Sequence, residues 1–456
     1  MESSTMSKQR PNIIIFFTDQ QRFDTCGIHG NPMNLTPNFD RMAMTGTHFY
    51  NAFSVQPICG PARSVLQTGL YATETGCTRN GIPLPKQSKT LAHYLKETDY
   101  QTAYIGKWHL ASGDPVPEDE QGGYDYWLGA NVLEFASESY DCNLFDKEGN
   151  TVKLPGYRVD AMADAAVRYI FDAQQQQDPF FLFLSFCEPH HDNMRDCYPA
   201  PIGYEEECAK NCWFPPDLRA LAGSAPEHLP GYYGMIRRLD EALGRIQDTL
   251  KSLDMEENTI LLFTSDHGCH FKTRNKEYKR SCHESSIRIP LAAAGGIFSS
   301  GSRKKELVSL ADIAPTILSA AGIDIPEEMR GESTLRLINK EGEQWQNEIF
   351  IQLSEAELGR AIRTNRWKYG VAAPEKDPWK ESFSDTYEET YLYDLRSDPW
   401  EQVNLSGMKS HREVSDHLQE RLIKRINVIE GRTAEIVNAR ERKSGQRRVF
   451  EEEIKQ

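Results

Sequence analysis

Asn12-Ile13-Ile14-Ile15-Phe16-Phe17 is an unbroken apolar run rich in β-branched and aromatic residues. Nothing polar alternates along it, so it predicts a strand buried on both faces, the kind found inside parallel sheets. Phe180-Phe181-Leu182-Phe183-Leu184-Ser185-Phe186 and Thr259-Ile260-Leu261-Leu262-Phe263-Thr264 have the same character, and Thr102–Ile105 reads as a shorter strand ending at Gly106. Apolar spacing predicts helices over 88–97, Val159–Phe171 and Gly231–Leu253. Strands alternating with amphipathic helices indicate an α/β fold, a large mainly parallel sheet flanked by helices. Ligands bind such sheets beyond the strand C-termini. Asp19, Lys107, His109, His190, Asp266 and His267 all follow predicted strands, which places them on one rim. After about residue 345 the pattern changes to short strands such as Glu348–Leu353 and Trp367–Val371, then a charged helix from about Ser410. The expected organisation is a main domain over 1–345 and a smaller C-terminal α+β lobe over 346–456 with a charged tail.

The formal net charge of −15 argues against non-specific binding to nucleic acid or to an anionic membrane. No apolar run approaches the length of a membrane span. Residues 1–10 are polar, with no apolar core or small-residue cleavage site, so no export signal is expected and the expected compartment is the cytoplasm. The ten cysteines form no CxxC pair and are expected to remain thiols. Cys197, Cys208 and Cys212 are close in sequence, but no fourth ligand stands at zinc-finger spacing.

Function is most legible in Cys59-Gly60-Pro61-Ala62-Arg63-Ser64-Val65-Leu66-Gln67-Thr68-Gly69. Pro61 fits the first position of a helix, which would put Cys59 at its positive end with Arg63 one turn further in. Such a place favours anions and lowers a thiol's pKa. A buried cysteine before a short helix is the alternative reading. Asp19-Gln20 and Asp266-His267 each end a strand, so two loops could converge on one hard divalent cation. Taken singly, either pair could equally cap a turn.

The pattern Cys59-x-Pro61-x-Arg63 followed by Thr68-Gly69 resembles the formylglycine-dependent sulfatases of the alkaline phosphatase superfamily. Further stretches match that family in the same order: Gly106-Lys107-Trp108-His109, Glu188-Pro189-His190, and Lys279 ahead of Glu284 and Arg288-Ile289-Pro290. Asp19-Gln20 and Asp266-His267-Gly268 stand where the family carries Asp-Asp and Asp-Asn-Gly, so a carboxylate is lost and an imidazole gained. With weaker matches at Thr36–Asp40, Ala314–Leu318, Leu392–Leu395 and Asp398–Glu401, the likeness runs over residues 11–405.

The resemblance implies that Cys59 is oxidised to formylglycine (3-oxoalanine), acting as its hydrate beside a divalent metal. Asp19, Gln20, Asp266, His267 and residue 59 would hold that metal, calcium first, with manganese or magnesium as alternatives. Arg63 and Lys107 would assist attack on sulfur, and Lys107 and His109 would hold the hydrate, His109 also serving as the base that releases sulfate. His190 and Lys279 would meet the ester oxygen, and Asn80 would bind sulfate. His191 competes with His190 for that place, and Lys276 with Lys279. Arg288 is expected to pair with an acid near the site. The implied partners are a sulfate ester and a formylglycine-generating or anaerobic sulfatase-maturating enzyme, with no nucleic acid and no membrane.

The expected reaction is hydrolysis of a sulfated carbohydrate. A phosphonate monoester or phosphodiester hydrolase of the same superfamily is the nearest alternative, and an anion- or glycan-binding protein with unmodified Cys59 is another. Specificity is expected in 110–157, 191–230 and 371–390, which carry Trp127, Trp213 and Trp379. Sugar stacking is one use of such rings, but at least two of the three are expected to pack instead.

Overall fold

The computed structural model describes residues 10–339, 345–443 and 449–456. Most of the stretch read above for an export signal, residues 1–9, lies outside the described residues, as do 340–344 near the expected domain boundary and 444–448 in the charged tail. Among the described residues, no helix is long and apolar enough to cross a membrane.

The main sheet comprises β1 (Asn12–Thr18), β2 (Thr47–Phe53), β3 (Gln101–Lys107), β4 (Tyr126–Ala130), β5 (Cys142–Asp146), β6 (Thr151–Leu154), β7 (Phe180–Ser185), β8 (Thr259–Ser265), β9 (Arg288–Ile289), β10 (Leu291–Ala294) and β11 (Ser302–Ser309). Its order is β11-β2-β10-β8-β1-β7-β3-β4-β5-β6, with β9 paired to β2. The central pairs β8–β1, β1–β7, β7–β3 and β3–β4 are all parallel. Ile13, Ile15 and Phe17 join one core layer, and Ile14 and Phe16 join the other. That division accounts for the unbroken apolar run: both faces of the strand are covered. β10 departs from the parallel plan, running antiparallel to both β2 and β8.

A second sheet, β12 (Glu348–Leu353), β13 (Gly359–Thr364), β14 (Trp367–Ala372), β15 (Thr386–Asp394) and β16 (Glu435–Val437), is antiparallel except for its last pair. It packs with the helix Arg412–Glu430 in a core that also takes in Phe53, Val65, Ile287 and Leu307 from the first part of the chain.

Three helices differ by two or more residues from their expected starts, the one read over 88–97 beginning only at Leu91. The helix read from Gly231 begins at Ala225 and runs to Ser252 through Pro230. The proline forfeits one bond near the helix start, while Leu229, Tyr232 and Tyr233 bury fully around it. The third helix begins at Cys59 rather than Pro61 and ends at Thr68. Pro61 then occupies the third position, where a backbone N–H still has no partner within the helix.

Candidate active site

The C-terminal ends of β8, β1, β7 and β3 lie side by side and carry the polar groups in a row: Asp266, Asp19, Ser185 and Lys107. Gly106 permits this crowding. Its φ is +111°, and a Cβ there would lie 2.0 Å from the Ser185 carbonyl oxygen.

The helix Cys59–Thr68 points its first turn at this row. Cys59 is 1 % exposed. Its Sγ lies 2.9 Å from Lys279 Nζ, 3.3 Å from His267 Nε2 and 3.4 Å from Asp19 Oδ1. Burial alone would push the thiol up, but Lys279, Lys107 and His267 hold it well below the usual thiol range. The side chain therefore sits where negative charge is favoured.

Beneath it the carboxylates are braced by buried cations. Arg63 Nη2 donates to Asp19 Oδ2 at 3.0 Å, its Nη1 donates to the Lys107 carbonyl and to Ser185 Oγ, both at 2.7 Å, and its Nε faces Asp266 Oδ2 at 3.4 Å. Lys107 Nζ pairs with Asp19 Oδ2 at 2.9 Å and Glu134 Oε2 at 3.0 Å. Burial and Cys59 would raise the Asp19 carboxyl, yet Lys107, His190 and Arg63 bring it down to about 2. Asp266 goes the other way, pushed up by burial and by Asp19 beside it. Arg63, expected to assist attack on sulfur, has its donors on the carboxylates, on Ser185 and on backbone, behind the pocket wall.

The pocket is a cavity of about 250 Å³ lined by Cys59, Gln20, Asn80, His109, His190 and Lys279, together with Glu134, Tyr278, Arg280 and Trp379. His190 Nδ1 donates to the His191 carbonyl at 2.7 Å, which leaves Nε2 to accept from Lys279 Nζ at 2.9 Å. Asn80 Oδ1 accepts from the Gly60 N–H at 3.0 Å, which seats the helix start.

A family model described as "Sulfatase" matches residues 11–323, and one described as "N-sulphoglucosamine sulphohydrolase, C-terminal" matches 276–428. The chain belongs to the sulfatase family. An ulvan-active sulfatase of Formosa agariphila is 29 % identical over 91 % of this chain and 81 % of that protein. An arylsulfatase of Clostridium perfringens is 28 % identical over 91 % and 94 %. A solved structure from work on glycosaminoglycan metabolism by Bacteroides thetaiotaomicron superposes with a TM-score of 0.80 at 23 % identity, covering 92 % of this chain and 97 % of that one.

Sulfatases use a divalent metal, and the residues present fit one. Ligating atoms of Asp19, Cys59, Asp266 and His267 all lie within 4.8 Å of one another. Asp266 Oδ2 is buried with no hydrogen bond and only the ion-pair contact from Arg63 Nε, so it keeps a lone pair for a cation. Gln20 stands beside them with φ +70°, donating its backbone N–H to Asp266 Oδ1 at 3.0 Å and its Nε2 to Tyr198 Oη at 3.1 Å.

Of the competing residues, His191 turns away toward Asp196 and Asn193, and Lys276 does not line the pocket of this sulfatase. Arg288 is within 4.0 Å of Glu284. Trp127 packs on Tyr104 and Trp108, and Trp213 is half-buried outside the pocket, whereas Trp379 stands 47 % exposed on the pocket wall. Glu134 was missed because it comes from a four-residue helix, Leu133–Ala136, with no readable signature. Glu355 was missed too. From the β12–β13 turn it accepts from the Asn80 N–H at 2.7 Å and pairs with Arg280 at 2.5 Å, so the second sheet supports the pocket wall.

Proposed function

We propose that this sulfatase hydrolyses sulfate esters of carbohydrates, using a formylglycine made from Cys59 and a divalent cation, calcium first, held by Asp19, Gln20, Asp266, His267 and residue 59. The carrying observation is the enclosed position of Cys59, at a helix N-terminus and in reach of Lys279, His267 and Asp19 at once. When present, the formylglycine hydrate supplies a nucleophilic oxygen and the cation supplies positive charge to the sulfuryl oxygens.

The chain's own residues then divide the work. Arg63 is a positioning residue that fixes Asp19 and Asp266 from behind. Lys107, tied to Asp19 and Glu134, keeps positive charge beside residue 59. His109 lines the pocket near residue 59 and is placed to take a proton there. Lys279 Nζ is the donor for the departing ester oxygen, and His190 Nε2, its acceptor, fixes it in position. Asn80 completes the anion-binding wall. Trp379 on the rim offers an aromatic face to a sugar. The carbohydrate reading draws on the ulvan-active relative, and maturation would need a formylglycine-forming enzyme acting on Cys59.

The test is turnover of matched sulfate and phosphate monoesters of one sugar. Sulfate is expected to be favoured. The imidazole of His267 in place of an amide favours the phosphonate or phosphodiester reading, and a large phosphate preference would establish it instead. Exhaustive chelation is expected to abolish turnover, with calcium restoring more activity than manganese or magnesium. Full activity in the chelated protein would remove the cation from the scheme.

A further inference from the structure

A second cluster of ligating side chains lies outside the metal group of the pocket. Ligand atoms of His191, Asp196 and His228 are within 4.8 Å of one another. Asp196 Oδ1 is 3.0 Å from His191 Nε2 and 3.7 Å from His228 Nε2. Ligands bound about 2.0–2.1 Å from a tetrahedral zinc stand roughly 3.3 Å apart, between these two separations. Both imidazoles are buried, while Asp196 is exposed. His191 and Asp196 come from the loop after β7, and His228 from the first turn of the helix Ala225–Ser252.

The hydrogen bonding around His191 accommodates a cation in one of the ring's two tautomers. Its Nδ1 faces Asn193 Oδ1 at 3.1 Å and its Nε2 faces Asp196 Oδ1 at 3.0 Å. A neutral imidazole has one N–H and cannot donate to both oxygens. If Nδ1–H donates to Asn193, the Nε2 lone pair points at a carboxylate, and a cation between them resolves the conflict. Asn193 then serves as the outer partner that fixes the ring's tautomer, as metal-bound histidines require. Tyr278 holds the carboxylate similarly, donating to Asp196 Oδ1 at 2.8 Å and stacking on His191 at 4.0 Å. Lys272 Nζ, 3.9 Å from the same oxygen, is the competing cation on a partly exposed side chain.

We propose that His191, Asp196 and His228 bind a divalent transition metal, zinc by the preference of a two-imidazole, one-carboxylate set. The site would brace the active-site wall. His191 supplies the carbonyl that holds His190, and Tyr278 precedes Lys279 in the chain.

The experiment is a Zn2+ titration of the chelator-stripped full chain against a chromophoric competitor, repeated with Co2+ and read by its visible absorption. Wild type is expected to bind zinc here in equimolar amount, and to keep that site in an Asp19→Asn/Asp266→Asn variant. His228→Gln and Asp196→Asn should each weaken it by about 100-fold or more, and Lys272→Met should tighten it. Asp196 is exposed, so its variant tests the site even if His228→Gln fails to fold. No zinc bound by wild type, zinc lost only with Asp19 and Asp266, or unchanged affinity in Asp196→Asn would each overturn the proposal.

Discussion

Cys59→Ala is expected to lower sulfate-ester turnover on the order of 10⁴-fold or more while the protein still folds, as loss of a nucleophile does elsewhere. The side chain is at the first position of its helix and is closed off from solvent. Alanine suits a helix start and removes only a sulfur, so the change in unfolding free energy should stay within about 2 kcal/mol. Activity and stability therefore separate, which a structural role for the thiol would not allow. The companion measurement is the mass of the tryptic peptide Met42–Arg63 from active protein. Conversion of Cys59 removes one sulfur and two hydrogens and adds one oxygen. Retained turnover in the variant, or an intact thiol throughout active material, would remove the formylglycine from the scheme, whereas an intact thiol together with no turnover would leave the anion-binding alternative standing.

The parts of the fold that were legible from sequence share one property: their signal is local. β1, β7 and β8 announce themselves because burial on both faces removes every polar residue from the run. Strand polarity then puts Asp19, Lys107 and Asp266 on one rim without further information. β10 was not legible, because four residues, Leu291–Ala294, carry no period and their antiparallel pairing depends on neighbours far away in sequence. The same holds within the site. Lys279 and His190 could be named from motifs, but their direct contact joins residues 89 apart in the chain. The commitment of Arg63 to Asp19, Ser185 and backbone is likewise a property of packed strands, not of the Cys59–Gly69 sequence. Glu134 and Glu355 have no motif, since any acid of suitable reach on another backbone could do what they do.

Lys368→Met is expected to destabilise the protein by about 3–5 kcal/mol, the cost of leaving buried charge without its counterion. Lys368 on β14 is wholly buried and pairs with Glu401 at 2.6 Å and Glu284 at 2.8 Å. Glu284 opens the short helix that follows the loop carrying Lys279, so this pair fastens the second sheet to the active-site wall. Burial alone would raise the Glu284 carboxyl, but Lys368, Arg363 and Arg288 hold it well below the usual carboxylate range. A depressed carboxyl contributes stability above its unfolded pKa and loses it as pH falls. Removing the ammonium reverses the sign for any carboxyl left without enough cation. Its folded pKa then lies above the unfolded one, so the penalty is small in mild acid and grows as pH rises toward neutrality. Denaturant unfolding of wild type and variant at both pH values tests this directly, and a deficit that does not change with pH would refute the charge argument. Adding Glu401→Gln to Lys368→Met should recover much of the loss, because the amide oxygen can still accept from the Glu284 N–H, which Glu401 Oε2 meets at 2.6 Å. If the double variant is no more stable than the single one, the lysine acts through packing rather than through charge.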